Sequence, residues 1–211
     1  MATTITNHGF RLHLSDRALG RNLPQRVGGV LWLPTLLMAV MAFPAGAILG
    51  GVRAAAIADA READTVAALG QLVPAVNFLG FASVFAAVSF AIARILGEFR
   101  EGGGRVQEVV SGRVQTPVMP ATARGFIVLM ATGMMALLGA VVGHVVLGVG
   151  AASGKAGILA YLERWSLWLE AVRRIGIAVY LVSISLGPAT IVTVLRFQTL
   201  RIAELPRERR G

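Results

Sequence analysis

Cysteine is absent from this chain, lysine occurs once, and only three histidines and two tyrosines appear among its 211 residues. Without thiols there is no disulfide framework, no thiolate metal site and no cysteine nucleophile. Histidine is too sparse to complete a Ser-His-acid set or a multi-ligand metal set from residues at one membrane depth, so no catalytic residue of the chain's own is expected. Charge is scarce as well: 15% of residues are Asp, Glu, Lys or Arg, and none falls within 30–52, 72–93, 126–150 or 175–195. Those four gaps organise everything else.

Phe126 to Gly150 is the longest, twenty-five residues of which twelve are Phe, Ile, Val or Leu. At about 1.5 Å per residue such a helix exceeds the roughly 30 Å hydrocarbon core of a bilayer. Each of those twelve favours insertion by roughly 0.3–0.6 kcal/mol near the centre. A soluble helix of this length needs a polar face, and this one has none. With 55% hydrophobic residues and a mean hydropathy of +0.70, the chain reads as one integral membrane domain. The expected fold is all-α: a membrane four-helix bundle of two transmembrane hairpins, with an outer interfacial amphipathic helix. Its parts are an N-terminal segment 1–29, a membrane domain 30–196 with spans of about 30–52, 72–96, 126–150 and 175–195, and a basic tail 197–211.

Successive helical residues turn by about 100°, which gives the third span two distinct stripes. Thr132, Ala136, Gly139 and Gly143 form one, and Gly139-xxx-Gly143 lets another helix backbone approach closely. Met130, Met134, Leu137, Val141 and His144 form the other. Methionine with histidine suggests a soft metal or haem edge; the simpler account is that methionine fills gaps and histidine caps the outer end. Haem or copper is therefore carried only as an alternative, and no cofactor is expected.

In the first span Trp32 marks the inner edge, Pro44 is expected to bend the helix, and Gly46-xxx-Gly50 repeats the close-packing signature. A contact between spans one and three, or between copies of the chain, follows from the two glycine pairs. In the second span Pro74 falls in the first turn. Asn77 near the outer boundary is expected either to hydrogen-bond across helices or to form a polar pocket with His144, and Arg94 to snorkel toward phosphates. The fourth span carries Tyr180, Ser183, Ser185, Thr190 and Thr193 around a Gly187-Pro188 break. Its hydroxyls can satisfy carbonyls released by the proline, for packing or for lining a permeation path.

The connections carry the remaining polarity. Ser15-Asp16 is expected to start a short surface helix ending near Gly20, and His8 with His13 to lie on a solvated terminus. Asp59 and Glu62 share a helical face that either collects a cation or is simply solvated. Gly102-Gly103-Gly104 is expected to end the second helix; it is not a phosphate loop, since no strand precedes it and no Gly-Lys-Ser/Thr follows. Val106, Val109, Val110 and Val114 suggest a short strand or hairpin on the membrane surface. Residues 151–173 place Ile158, Leu162, Trp165, Leu169 and Val172 on one side, as in a helix lying among headgroups. Tyr161, Trp165 and Trp168 then form an aromatic belt or a partner-docking surface.

The formal charge of +9 does not point to nucleic acid, because the arginines flank apolar runs instead of forming one face. Segments 1–29, 94–125 and 196–211 hold fourteen Arg, against six Lys or Arg in 53–70 and 151–174. By the positive-inside rule both termini face the cytoplasm, as four crossings require, in a bacterial-type inner membrane. Arg196, Arg201, Arg207, Arg209 and Arg210 are placed to bind anionic lipids at about 1 kcal/mol each. The expected role is a non-catalytic accessory or assembly subunit whose partners are other integral membrane subunits, lipids and, as a further option, copies of itself. A haem- or metal-binding electron-transfer subunit is the first alternative. A small oligomeric channel or carrier is the second, disfavoured because the core spans hold no Asp, Glu or Arg.

Overall fold

The first helix starts at a reciprocal cap. The Asn22 N–H donates to Gln25 Oε1 at 3.0 Å and the Gln25 N–H to Asn22 Oδ1 at 3.3 Å, which satisfies two donors that a helix start otherwise leaves open. In this computed structural model, which describes residues 4–7, 10–16, 20–154 and 157–208 and the side chains of 20–154, 157 and 160–206, the cap begins α1 (Leu23–Ala58). α2 (Ala63–Ser111), α3 (Ala121–Ala152) and α4 (Ile158–Glu208) follow. All four are long and apolar enough to cross a bilayer, so the chain is an all-α, four-helix, multi-pass membrane protein. Pro34, Pro44, Pro74, Pro188 and Pro206 all lie inside continuous helices.

Three short strands accompany the helices: β1 (Thr4–Asn7), β2 (Phe10–Asp16) and β3 (Gln115–Pro117), paired antiparallel in that order. Leu14 pairs with Pro117, Ser15 with Thr116 and Asp16 with Gln115. Ser15-Asp16 thus ends a strand and does not start a helix. The reason is visible in Phe10-Arg11-Leu12-His13-Leu14, where apolar and polar residues alternate with the period of a strand. His13 lies opposite Thr4 in this ladder, while His8 falls outside the described residues.

The glycine triplet does not end α2. The helix continues for a further two turns, which makes Val106, Val109 and Val110 helical, and strand structure begins only at Gln115. Gly103 serves close packing instead, because a side chain there would run into the Gln198 amide of α4. The actual stop is Gly112, at φ +68°, whose N–H donates to the Glu108 carbonyl at 3.0 Å. Ser111 Oγ adds a bond to the Gln107 carbonyl at 2.9 Å.

Residues 158–173 are not a separate interfacial helix either; they are the first third of α4, unbroken into the fourth span. Leu162 is buried in a cluster with Ala68, Leu147 and Ala151, and Leu169 packs against it. Leu162 and Leu169 therefore face α2 and α3, while Trp165 of the same side stays exposed.

The chain divides into two compact units, and every helix contributes a segment to each. The first comprises Met1–Trp32, Val88–Val128 and Ser183–Gly211; the second comprises Leu33–Ala87 and Leu129–Val182. By sequence the first contains all fourteen arginines of the three basic segments together with six carboxylates, and the second contains six basic and five acidic residues.

Packing in each unit relies on small residues. In the first unit a Cβ at Gly28 would lie 2.7 Å from the Phe90 carbonyl oxygen and 2.9 Å from Ala93 Cβ, so α1 and α2 meet almost backbone to backbone. Arg94 lies over Trp32 at 5.3 Å, and Ser183 Oγ donates to the Phe126 carbonyl at 2.9 Å. In the second unit α3 and α4 meet at Gly133 and Gly176, where a Cβ at Gly176 would lie 3.0 Å from Ala136 Cβ. Tyr180, fully buried, stacks on Phe85 with ring centroids 4.8 Å apart.

Candidate functional site

The second unit buries a histidine among polar side chains from three helices. His144 on α3 is 4% exposed, and its Nδ1 lies 2.8 Å from Gln71 Oε1 on α2. The amide oxygen can only accept, so in the neutral imidazole Nδ1 donates and Nε2 is left as the acceptor. Phe78 follows Gln71 by two helical turns on the same face. Its ring meets the imidazole edge-on at 5.2 Å, and Arg173 of α4 lies over that ring at 4.6 Å. Arg173 is itself held by Glu170, which also accepts from Arg174 Nε at 2.9 Å. His144 Nε2 and Arg173 Nε are both buried without a hydrogen-bond partner among the described residues. The site thus offers one nitrogen lone pair and one guanidinium N–H in a largely apolar setting.

The pairing of Asn77 with His144 expected from sequence is not what forms. Asn77 lies against Gly46 of α1, where a side chain at residue 46 would meet its amide, and Gln71 is the partner of His144. Gln71 lies one residue before the second span expected from sequence, at a position where spacing alone gave it no role. Met134 and Met130 stand ten and fourteen residues from His144 on one continuous helix, about 15 and 21 Å along its axis. No single ion takes them together with His144.

The two glycine pairs are each divided. Gly46 is covered by Asn77 and Gly143 by Leu169, whereas a Cβ at Gly50 or Gly139 would meet nothing within 4 Å. The covering residues come from α2 and α4, so these glycines do not pack spans one and three on each other. Tyr161, Trp165 and Trp168 are all exposed, with the Tyr161 and Trp165 rings 5.8 Å apart. Arg196 is exposed, but Arg201 is only 2% exposed and lies 3.6 Å from Glu204. That burial removes Arg201 from any lipid-binding surface. The Arg207 side chain, Arg209 and Arg210 lie outside the described residues. Hydroxyls of α4 are engaged: Thr190 and Thr193 donate to the Leu186 and Ala189 carbonyls at 2.9 and 2.8 Å, one turn back in each case and not at the carbonyl that Pro188 releases.

The first unit contains a cavity of about 350 Å³ that sequence reasoning did not anticipate. The start of α1, the end of α2, β3 with the residues after it, the first turn of α3, and α4 enclose it. Gln107, 1% exposed, accepts from the Gln115 N–H at 2.9 Å and so ties α2 to β3 across the cavity wall. Gln198 donates to the Phe99 carbonyl at 3.2 Å on the opposite side. The sequence signals for this site are spread over five segments, and only the Asn-x-x-Gln cap has a recognisable spacing.

Comparison with protein-family models, curated proteins and solved structures finds no match to this chain in any of the three.

Proposed function

We propose that the chain is a non-catalytic accessory or assembly subunit of a larger integral membrane complex, seated in a bacterial-type inner membrane with both termini in the cytoplasm. The observation that carries this reading is the open glycine notch on α3. Glycine in a helix interior is about 1 kcal/mol less favourable than alanine, and close packing normally offsets that penalty. Gly133, Gly143 and Gly148 have such neighbours within the chain, but Gly139 does not. It is flanked by Met135 and Val142, exposed by 75% and 61%, which leaves an apolar notch of the right form for a helix of another subunit. Gly50 and Gly51 leave similar open space on α1, whose apolar window is the least buried of the four. The orientation draws support from the gathering of both chain ends and all three arginine-rich segments in one unit.

The test is extraction in gentle detergent with identification of companion chains, for the wild type and for Gly139→Leu and Gly50→Leu. The reading requires a stoichiometric companion that the variants lose while each remains folded. A monomer that purifies alone, with hydrodynamic size unchanged by either variant, overturns it; a pure homo-oligomer assigns the notch to a second copy of the chain.

One observation favours a second reading, a haem- or metal-bearing redox subunit: the buried lone pair of His144 Nε2. A visible absorption band lost in His144→Ala supports it, and colourless protein purified from native membranes refutes it. The channel reading gains nothing from α4, because Ser183, Thr190 and Thr193 all donate to helix carbonyls.

A further inference from the structure

The cavity of the first unit has a graded wall. Leu96, Ile127 and Val194 come from the ends of three apolar runs, whereas Gln107, Gln115 and Thr116 come from the polar connection between the second run and the third. Along α2 alone the lining passes from Leu96 to Gln107, about 16 Å at 1.5 Å per residue. Charge gives the cavity no preference. Arg100 already has a partner, Arg124 has an exposed side chain, and the Ala123 and Arg124 N–H groups both donate to the Pro120 carbonyl, at 3.1 and 3.2 Å. The amides are largely spent as well: Asn22 and Gln25 cap each other, and Gln107 Oε1 accepts from the Gln115 N–H. Gln198 differs. Its Nε2 donates to the Phe99 carbonyl, but its Oε1 is buried without a hydrogen-bond partner among the described residues. That oxygen lies against Gly103, and neither Gly103 nor its neighbour Gly104 on the wall brings a side chain between it and the cavity. A buried amide oxygen in this position calls for a donor, and its neighbours call for no ion. A volume of about 350 Å³ falls within the usual ~300–1,000 Å³ range of ligand pockets.

We propose that this cavity binds an uncharged amphiphile with a hydroxyl-bearing head, such as a monoacylglycerol or a long-chain alcohol. The hydroxyl donates to Gln198 Oε1, and the chain lies along Leu96, Ile127, Val194 and Phe197. The bilayer is the source, because the apolar part of the wall is built from the ends of helix segments with membrane-spanning composition. A soluble polyol shares the hydroxyl chemistry but leaves that wall uncovered. Binding here is independent of whether the chain belongs to a larger complex.

The experiment uses the full chain in amphipol, free of detergent, with monooctanoylglycerol, methyl octanoate, sodium octanoate and glycerol as probes, read by thermal melting and by the side-chain amide resonance of Gln198. Monooctanoylglycerol is expected to bind one per chain, to raise the melting temperature and to shift that resonance. Methyl octanoate, which has the chain but no hydroxyl, is expected to bind about tenfold more weakly. Gln198→Met keeps the length of the side chain and removes the acceptor; it is expected to bring monooctanoylglycerol down to the level of methyl octanoate and to leave methyl octanoate unchanged. Val194→Phe, which adds a ring from the α4 wall, is expected to weaken both by about tenfold or more. Arg196→Gln, exposed and not part of the cavity wall, is expected to change nothing. Should Gln198→Met fail to fold, Val194→Phe and the comparison of probes on the wild type still decide. Equal binding of monooctanoylglycerol and methyl octanoate to the wild type, or undiminished discrimination in Gln198→Met, overturns the hydrogen bond to Gln198. Octanoate binding more tightly than monooctanoylglycerol overturns the uncharged head, glycerol binding as tightly overturns the apolar portion, and binding untouched by Val194→Phe overturns the cavity as the site.

Discussion

Gly28→Ala and Gly50→Ala are the same chemical change in the same helix, and the structure assigns them opposite signs. At Gly50 the added methyl meets nothing within 4 Å, so the helix-propensity gain of about 0.8–1 kcal/mol is realised in full. At Gly28 the same gain is available, but the methyl would lie 2.7 Å from the Phe90 carbonyl oxygen and 3.3 Å from the Arg94 nitrogen. Those atoms are backbone of α2 and cannot swing aside as a side chain does. The helices must separate by several tenths of an ångström, an overpacking penalty of about 1–3 kcal/mol. Propensity and unfolded-state terms cancel in the comparison, which leaves Gly28→Ala less stable than Gly50→Ala by about 1–3 kcal/mol, or roughly 5- to 150-fold in the folding equilibrium. Reversible unfolding of the purified chain in bicelles measures that difference directly. Equal stabilities for the two variants, or Gly28→Ala the more stable, would refute the backbone contact between α1 and α2.

Three further outcomes follow from particular residues. Asn22→Ala removes half of the reciprocal cap on α1 and is expected to destabilise by about 1 kcal/mol, with faster amide exchange confined to the first turn; exchange unchanged there contradicts the assignment. A double-mutant cycle on His144→Ala and Gln71→Leu is expected to give a coupling of about 0.6 and no more than about 1.7 kcal/mol, since the 2.8 Å bond is buried but both partners find alternatives in the unfolded membrane state. Ala60 holds φ at +51° in the turn between α1 and α2, where an L residue is strained by about 1–2 kcal/mol. Ala60→Gly relieves that strain, less about 0.4–1 kcal/mol for the freer unfolded chain, and a raised melting temperature is the check.

Four bilayer-length apolar runs made the fold legible, because hydropathy over twenty residues outweighs any local propensity. What was not legible depended on residues whose partners lie far away in sequence. The triplet at 102–104 looks like a helix stop, and only the proximity of Gln198, some ninety-five residues later, shows why glycine is useful inside the helix there. Leu162 and Leu169 make the same amphipathic pattern whether their apolar side meets lipid or the Ala68 and Leu147 cluster, so period alone could not separate an interfacial helix from the start of a span. At the candidate site His144 was identifiable as the lone buried histidine of the spans, but its partner was not. Asn77 and Gln71 are both amides of α2, about 9 Å apart along its axis, and the choice between them depends on the vertical offset and rotation of α2 against α3. Residues 10–14 alternate apolar and polar side chains, a strand signal to which the helix start expected at Ser15-Asp16 gave no weight.

The two polar sites differ in what they leave unsatisfied, and that difference separates the readings they can support. In a membrane protein buried polar groups pair internally or mark a ligand, since lipid supplies no hydrogen bonds. Around His144 the groups left over are an acceptor, Nε2, and a donor, Arg173 Nε; together they carry no demand for a charged occupant, and a neutral group or a water satisfies both. In the first unit the cavity wall carries a buried acceptor without a partner among the described residues, Gln198 Oε1, which calls for a hydrogen-bond donor. A ligand screen should therefore discriminate by hydrogen-bond donation at the first site and by coordination chemistry at the second: metal or haem bound at His144 should leave the environment of Gln198 unchanged.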